Sequence, residues 1–190
     1  LEHRRPGAEA LVELELSAVR VPRERERYTD GGGGVEGVRV VGEQDRERVA
    51  ATGLPALADD SGLEVEALGG APGVYSARFA ARELGGEKSD SANNALLVQR
   101  LQGQSDRRAC YVAVLVYVRH AQDPRPIVIE GVWEGEIQDQ PAGEHGFGYD
   151  PHFYLPEFKQ TAAQLSPEVK NKYSHRAQAM QALLARLAAE

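Results

Sequence analysis

Asp59 and Asp60 stand side by side in Ala58-Asp59-Asp60-Ser61-Gly62-Leu63-Glu64-Val65, after the short apolar run Leu54 to Ala58. Adjacent carboxylates at the end of a strand offer hard oxygen ligands to Mg²⁺, with room left for water and phosphate oxygens. Like charges so close repel, which favours a bound cation. The plainer reading is an acidic turn, because Asp, Ser and Gly are turn residues. A second concentration of chemistry is Lys170, Lys172, His175 and Arg176, crowded into one short stretch. Cations gathered in a chain of net charge −7 suit a polyanionic substrate. A solvated basic face is the plain alternative, and a fair one for Lys172. A third is Gly143–Pro151, where Phe147 and Tyr149 sit among glycines. Glycine lets backbone approach a ligand closely, and an exposed aromatic ring offers its face to a base. A glycine-rich turn with an aromatic plug is the competing reading.

Elements must hold these groups in place. The run from Ala56 leads into an Asp-Asp corner, and Glu64–Leu68 alternates like a half-buried strand. Gly69–Gly73 is a loop by composition. Arg78 reads as a surface or structural arginine. The pattern predicts a helix over Ser89–Leu101, with Ser89, Asp90 or Ser91 as N-cap, an apolar stripe of Ala95, Leu96, Val98 and Leu101, and Asn93 and Asn94 at the surface. Ala109–Arg119 is a nearly continuous run of β-branched, aromatic and small apolar residues, as for a central strand covered on both faces. After the turn Asp123-Pro124-Arg125-Pro126, Ile127–Ile137 forms a second strand, antiparallel to the first, with Trp133 in the core or over the sheet rim. Phe153–Leu155 is a short strand, and Thr161–Gln164 the next segment. Ser166-Pro167-Glu168 opens a helix, on which Lys170 and Ser174 share a face. Gln178–Ala189 is an amphipathic helix with Met180, Leu183, Leu184 and Leu187 inward.

A chain of 190 residues has one domain as its default and can bury a core. No Lys/Arg cluster is extensive enough for a nucleic-acid surface. No apolar run reaches membrane-spanning length, and no charged-then-apolar leader is visible. The single cysteine, Cys110, excludes an internal disulfide framework, suits a cytoplasmic setting, and reads as a small core residue.

The stretch ADDSGLEVEALGGAPGVYSARFA resembles the signature of the inosine/xanthosine triphosphate pyrophosphatases, which hydrolyse non-standard purine nucleoside triphosphates. Gly146-Phe147-Gly148-Tyr149-Asp150-Pro151 and Ser174-His175-Arg176-x-x-Ala179 resemble the same family's next two motifs, in the same order. The likeness covers residues 51–188. It implies an α/β fold, with a long twisted mixed sheet and helices forming two lobes around a nucleotide cleft, and a homodimer. It implies hydrolysis of ITP, dITP and XTP to the monophosphate and pyrophosphate with Mg²⁺ as cofactor. By resemblance, Asp60 is the catalytic carboxylate and metal ligand, with Asp59 supporting it. Ser61, Phe147, Gly148, Tyr149, Asp150, Lys170, His175 and Arg176 contact substrate. Phe147 stacks on the purine, His175 and Arg176 donate to O6, and Asp150 or a nearby carbonyl accepts from N1–H.

Residues 1–49 depart from the family. Its Thr-Gly-Asn-like loop with a lysine, and its Glu-Asn-Ala helix, cannot be placed there. Gly31–Gly34 reads as a flexible loop and Gly37–Val41 as a short strand. One explanation for the departure is a shifted reading frame. Back-translated with chosen GC-rich codons and read one base later, Leu1–Ala8 can give SNTGDRA and Val38–Val49 can give FVSSANKIANA, both like the missing segments. The alternative function is a catalytically impaired nucleotide-binding relative that lacks the N-terminal phosphate grip. A third reading is another metal-dependent phosphatase acting on sugar or nucleoside phosphates.

Overall fold

The structure is a computed structural model that describes residues 46–189. The readings made above for residues 1–45, including the glycine loop, the Gly37–Val41 strand and the frame shift at Leu1, fall outside them. The described chain opens with a helix over residues 46–52 (α1), where the sequence shows charge and no clear helical stripe. Val49 is its one buried apolar side chain and packs against Ala58, Val114, Val116 and Val118.

Six strands follow the order β2-β1-β3-β4-β5-β6, and every pairing among the described residues is antiparallel. They are β1 (Ala56–Val65), β2 (Pro72–Gly73), β3 (Arg108–Val118), β4 (Ile127–Ile137), β5 (Phe153–Leu155) and β6 (Gln160–Thr161). Helices α2 (Phe79–Leu84), α3 (Asp90–Arg100), α4 (Pro167–Tyr173) and α5 (His175–Ala188) complete the mixed α and β architecture. The β3–β4 hairpin forms as expected, with Tyr111 opposite Trp133 and Ala113 opposite Gly131.

β1 corrects the expectation of an Asp-Asp corner. It runs unbroken for 10 residues through Asp59-Asp60-Ser61-Gly62, paired to β3 from Ala56↔Val118 to Val65↔Ala109. Asp, Ser and Gly are poor strand formers, but burial of Ala58, Leu63 and Val65 on both sides of them decides the conformation. Glu66–Leu68, read as the tail of a strand, is a 3₁₀ turn.

Side chains alternate across a strand, so the register sorts the sheet into two faces. Leu63, Val65, Tyr111, Trp133 and Ile137 look toward the main core with Leu97 and Leu101, next to Phe153 and Leu155. Farther along that face, Ala113, Leu115 and Ile127 receive Ala179 and Leu183 of α5. Gly131 makes this docking possible. A Cβ there would lie 2.7 Å from Ala179 N and 3.0 Å from Ala179 Cβ, and would meet the His175 carbonyl oxygen as well. The opposite face carries Ala58, Val114, Val116 and Val118 beneath α1.

Two helical expectations change. On α3 the inward positions are Asn93, Leu96, Leu97 and Leu101, whereas Ala95 is exposed. Asn93 is buried because its amide replaces backbone partners: Oδ1 accepts from Ala80 N (2.8 Å) and Nδ2 donates to the Ser76 and Ala77 carbonyls. On α5 the inward row is Ala179, Leu183 and Leu187. Leu184, about 100° round the helix from Leu183, is 58% exposed, and Met180 lies at the surface beside a cavity.

Candidate active site

A cavity of about 590 Å³ opens where β1, the loop before β5, α4 and the start of α5 converge. Local sequence explains this convergence. Ser166 caps α4 by accepting from Val169 N, with Pro167 at the first turn. Ser174 then ends α4 and caps α5 by accepting from Ala177 N. This break between the two helices turns Lys170, Ser174, His175 and Arg176 toward the same cavity.

Of the residues picked from sequence, the cavity wall gathers Asp59, Phe147, Asp150, Lys170, His175 and Arg176. Arg176 bonds Asp59 through Nε, at 2.9 and 3.1 Å to the two carboxylate oxygens. Ser61 Oγ reaches the same carboxylate at 3.3 Å. Asp150 is buried and takes three donors: Lys170 Nζ at 2.6 Å, Phe147 N at 3.0 Å and Tyr111 OH at 3.2 Å. Phe147 is 68% exposed, with Lys170 Nζ 5.9 Å and Arg176 Cζ 6.0 Å from its ring centroid. The result is a bare aromatic face flanked by two cations that are themselves anchored by carboxylates.

His175 lies 9% exposed and stacks on Tyr111, with centroids 4.8 Å apart and planes 13° from parallel. Burial, then the nearby charges of Arg176 and Lys170, push its pKa down to about 3. The imidazole is therefore neutral at physiological pH. Its Nδ1 is buried with no hydrogen-bond partner among the described residues. Burial, reinforced by the Asp150 charge, holds the Tyr111 hydroxyl well above the usual tyrosine range, so it remains a proton donor to Asp150.

Other picks lie elsewhere. Tyr149, expected at the substrate, is 4% exposed in the main core, and its hydroxyl donates to the Ser76 carbonyl at 2.8 Å. It is not on the cavity wall. Asp60, Ser61 and Gly148 are not on the cavity wall. Asp59 and Asp60 do not make one joint site, because they project to opposite faces of β1: Asp59 sits opposite Leu115 and Asp60 opposite Val114. Asp60 Oδ1 accepts from Ser61 N at 2.9 Å, which fixes the carboxylate's orientation. Among the described residues, β2 pairs only with Leu63 and Glu64, and no strand pairs with the outer edge of β1 before them. Among those residues, too, no group of three His, Cys, Asp or Glu side chains is arranged to hold a metal. A Mg²⁺ ion needs only one or two carboxylates when phosphate oxygens and water complete its shell. Asp60 fits that mode of binding, and no all-protein cage is formed among the described residues.

Sequence reasoning missed Tyr111, whose apolar strand context concealed its hydroxyl. It also missed Asp90 and Asn94, which bond the loop at Gly148 from α3. The only signal for Asn94 is a polar residue in the second turn of a helix, and that carries no direction.

The family model described as Ham1 family matches residues 37–186. A dITP/XTP pyrophosphatase of Bordetella pertussis is 67% identical over 138 residues, 73% of this chain and 64% of the relative. One of Chromobacterium violaceum is 60% identical over 147 residues, 77% of this chain and 73% of the relative. The chain thus spans just under two thirds of the Bordetella protein's length. Among solved structures, a HAM1 protein from Coxiella burnetii superposes with a TM-score of 0.73 at 43% identity, covering 79% of this chain and 75% of that one. The Staphylococcus aureus Ham1 protein gives 0.70 at 44%, covering 77% and 73%.

Proposed function

The chain belongs to the Ham1 family, and from that premise we propose that it hydrolyses non-standard purine nucleoside triphosphates (ITP, dITP and XTP) to the monophosphate and pyrophosphate. The observation that carries this reading is the exposed Phe147 ring, set between Lys170 and Arg176 at the mouth of a cavity whose wall includes the neutral His175.

The purine stacks on Phe147, an interaction worth roughly 1–3 kcal/mol. His175, proton on Nε2, leaves only an acceptor lone pair buried at Nδ1 and donates to O6. Both bonds from Arg176 to Asp59 use Nε, so its terminal nitrogens can serve O6 as well. Hypoxanthine and xanthine present the 6-oxo acceptor and N1–H donor, whereas adenine presents the reverse. Adenine would leave these donors unpaired, and such mismatches discriminate between bases. Asp150 already holds Lys170, Tyr111 and the loop, so the acceptor for N1–H falls to a backbone carbonyl nearby.

The triphosphate then crosses the outer edge of β1 from the Asp59 side to the Asp60 side, past the Ser61 hydroxyl and amide. Water attacks the α-phosphorus, the bond to the bridging oxygen breaks, and pyrophosphate departs. Asp60, oriented by Ser61 N, accepts the proton of that water or serves as a metal ligand. In the second role Asp60 would hold Mg²⁺, which would supply charge neutralisation. By the family resemblance the protein is further proposed to act in the cytoplasm and as a homodimer, and light scattering on a purified sample checks the oligomeric state.

Pyrophosphate release from ITP, XTP, GTP and ATP under Mg²⁺ tests the reading, with Asp60→Asn alongside. Turnover of ITP and XTP well above ATP, lost in the variant at unchanged thermal stability, is the expected result. Inosine nucleotides bound but never cleaved would sink it and favour the impaired relative. Turnover indifferent to the base would point to a general phosphatase.

A further inference from the structure

The Phe147 ring is exposed, yet its backbone is tied on every side. Phe147 N donates to Asp150 Oδ2 at 3.0 Å, and Asp150 N donates back to the Phe147 carbonyl at 3.2 Å. The two peptide groups on either side of the Gly148 Cα are held by α3. Gly148 N donates to Asp90 Oδ2 at 2.9 Å, and Asn94 Nδ2 donates to the Gly148 carbonyl at 2.8 Å, across 58 and 54 residues of chain. Asp90 and Asn94 are four apart on one helix and so share a face. Gly148 has φ +60°, in the left-handed region open to glycine. The helix that supplies the two side chains is itself anchored. Ser89 caps it, Leu96 and Leu97 are buried, and Asn93 pins it to Ala80, Ser76 and Ala77.

We propose that Asp90 and Asn94 are positioning residues for base recognition: from α3 they clamp Gly148 at its N–H and at its carbonyl, and so fix the neighbouring Phe147 ring that receives the purine. The proposal rests on the reading of Phe147 as the base platform. Neither residue touches substrate. A platform already fixed has little freedom to lose when the base binds, and freeing it makes binding bear that ordering cost. The groups that act on phosphate lie on β1 and are not part of the clamp. Loosening the clamp therefore weakens the grip on the nucleobase and leaves the chemical step alone.

The test uses the full chain as wild type, Asp90→Ala, Asp90→Asn, Asn94→Ala and Asn94→Asp. KM and kcat for ITP are measured together with calorimetric binding of IMP and of inorganic pyrophosphate. Each alanine variant should raise KM and weaken IMP about tenfold, as loss of one preorganising hydrogen bond implies. kcat and pyrophosphate affinity should stay at the wild-type level. Asp90→Asn keeps an oxygen to accept from Gly148 N and should restore KM. Asn94→Asp sets a carboxylate against the Gly148 carbonyl, cannot donate, and should not. A purely structural role would lower the active fraction, and with it kcat, without moving KM or separating Asp90→Asn from Asp90→Ala. That pattern, or unchanged KM in the alanine variants of an enzyme that turns over ITP, overturns the clamp alone. A wild type that neither cleaves ITP nor binds IMP overturns both the clamp and the function it rests on.

Discussion

His175 ties the site to solution pH through stability as well as recognition. An ordinary histidine titrates near 6.5, while His175 in the folded protein titrates at about 3, driven there by burial and by Arg176 and Lys170. Between those values the unfolded chain binds a proton that the native protein refuses. Stability from this residue is therefore fully present above pH 6.5 and is lost as pH falls toward 3. The linkage slope is about 1.4 kcal/mol per pH unit inside that window. From pH 7 to pH 5 the loss should be about 2 kcal/mol, or roughly 4–8 °C in Tm for a protein of this size. The assay is urea unfolding at steps between pH 7.5 and 5, comparing wild type with His175→Gln. The variant loses the stack on Tyr111, so it should be less stable at pH 7.5. Its curve should nevertheless be flatter, by about 2 kcal/mol over the same interval. Parallel curves would refute the reasoning, because the residue would then be charging in place without penalty. The stacked, buried imidazole beside two cations would have to be wrong.

Two further outcomes follow from the geometry. Phe147→Ala should raise KM for ITP roughly five- to 150-fold, the value of one base stack, with kcat and melting temperature little changed because the ring is exposed; steady-state kinetics and a melt check both. Gly131→Ala should destabilise by about 3 kcal/mol, the upper range for overpacking, since the new methyl meets backbone of α5 on the far side, and chemical denaturation measures it.

Much of the fold could be read locally. β4 at Ile127–Ile137 and β5 at Phe153–Leu155 fall where the sequence places them. α4 begins at the Ser166-Pro167 signal. In each case the deciding chemistry lies within a few residues: β-branched runs, a cap, a proline. The misreadings share another cause. Asn93 is buried because three backbone groups from distant residues need it. Met180 and Leu184 look inward on a helical wheel, but the sheet accepts only the narrow row containing Ala179 and Leu183. The candidate site divides the same way. Lys170, His175, Arg176 and Phe147 could be named as candidates from residue type together with the family resemblance. Their partners Tyr111, Asp90 and Asn94 could not, since a helix or strand pattern gives a face and not a neighbour.

The alternation of β1 bears on how such a chain can drift over generations. Asp59 and Asp60 are separated only by the pleat, one toward Arg176 and the other toward the face that carries Val114 and Val116. A point substitution at either position alters one wall and spares the other. A single inserted or deleted codon between Ala56 and Asp59 would exchange the two walls wholesale, sending one carboxylate away from its arginine and the other into the cavity. Lineages carrying this strand can therefore alter one wall at a time, while changes in its length are closed to them unless a second, compensating change restores the count.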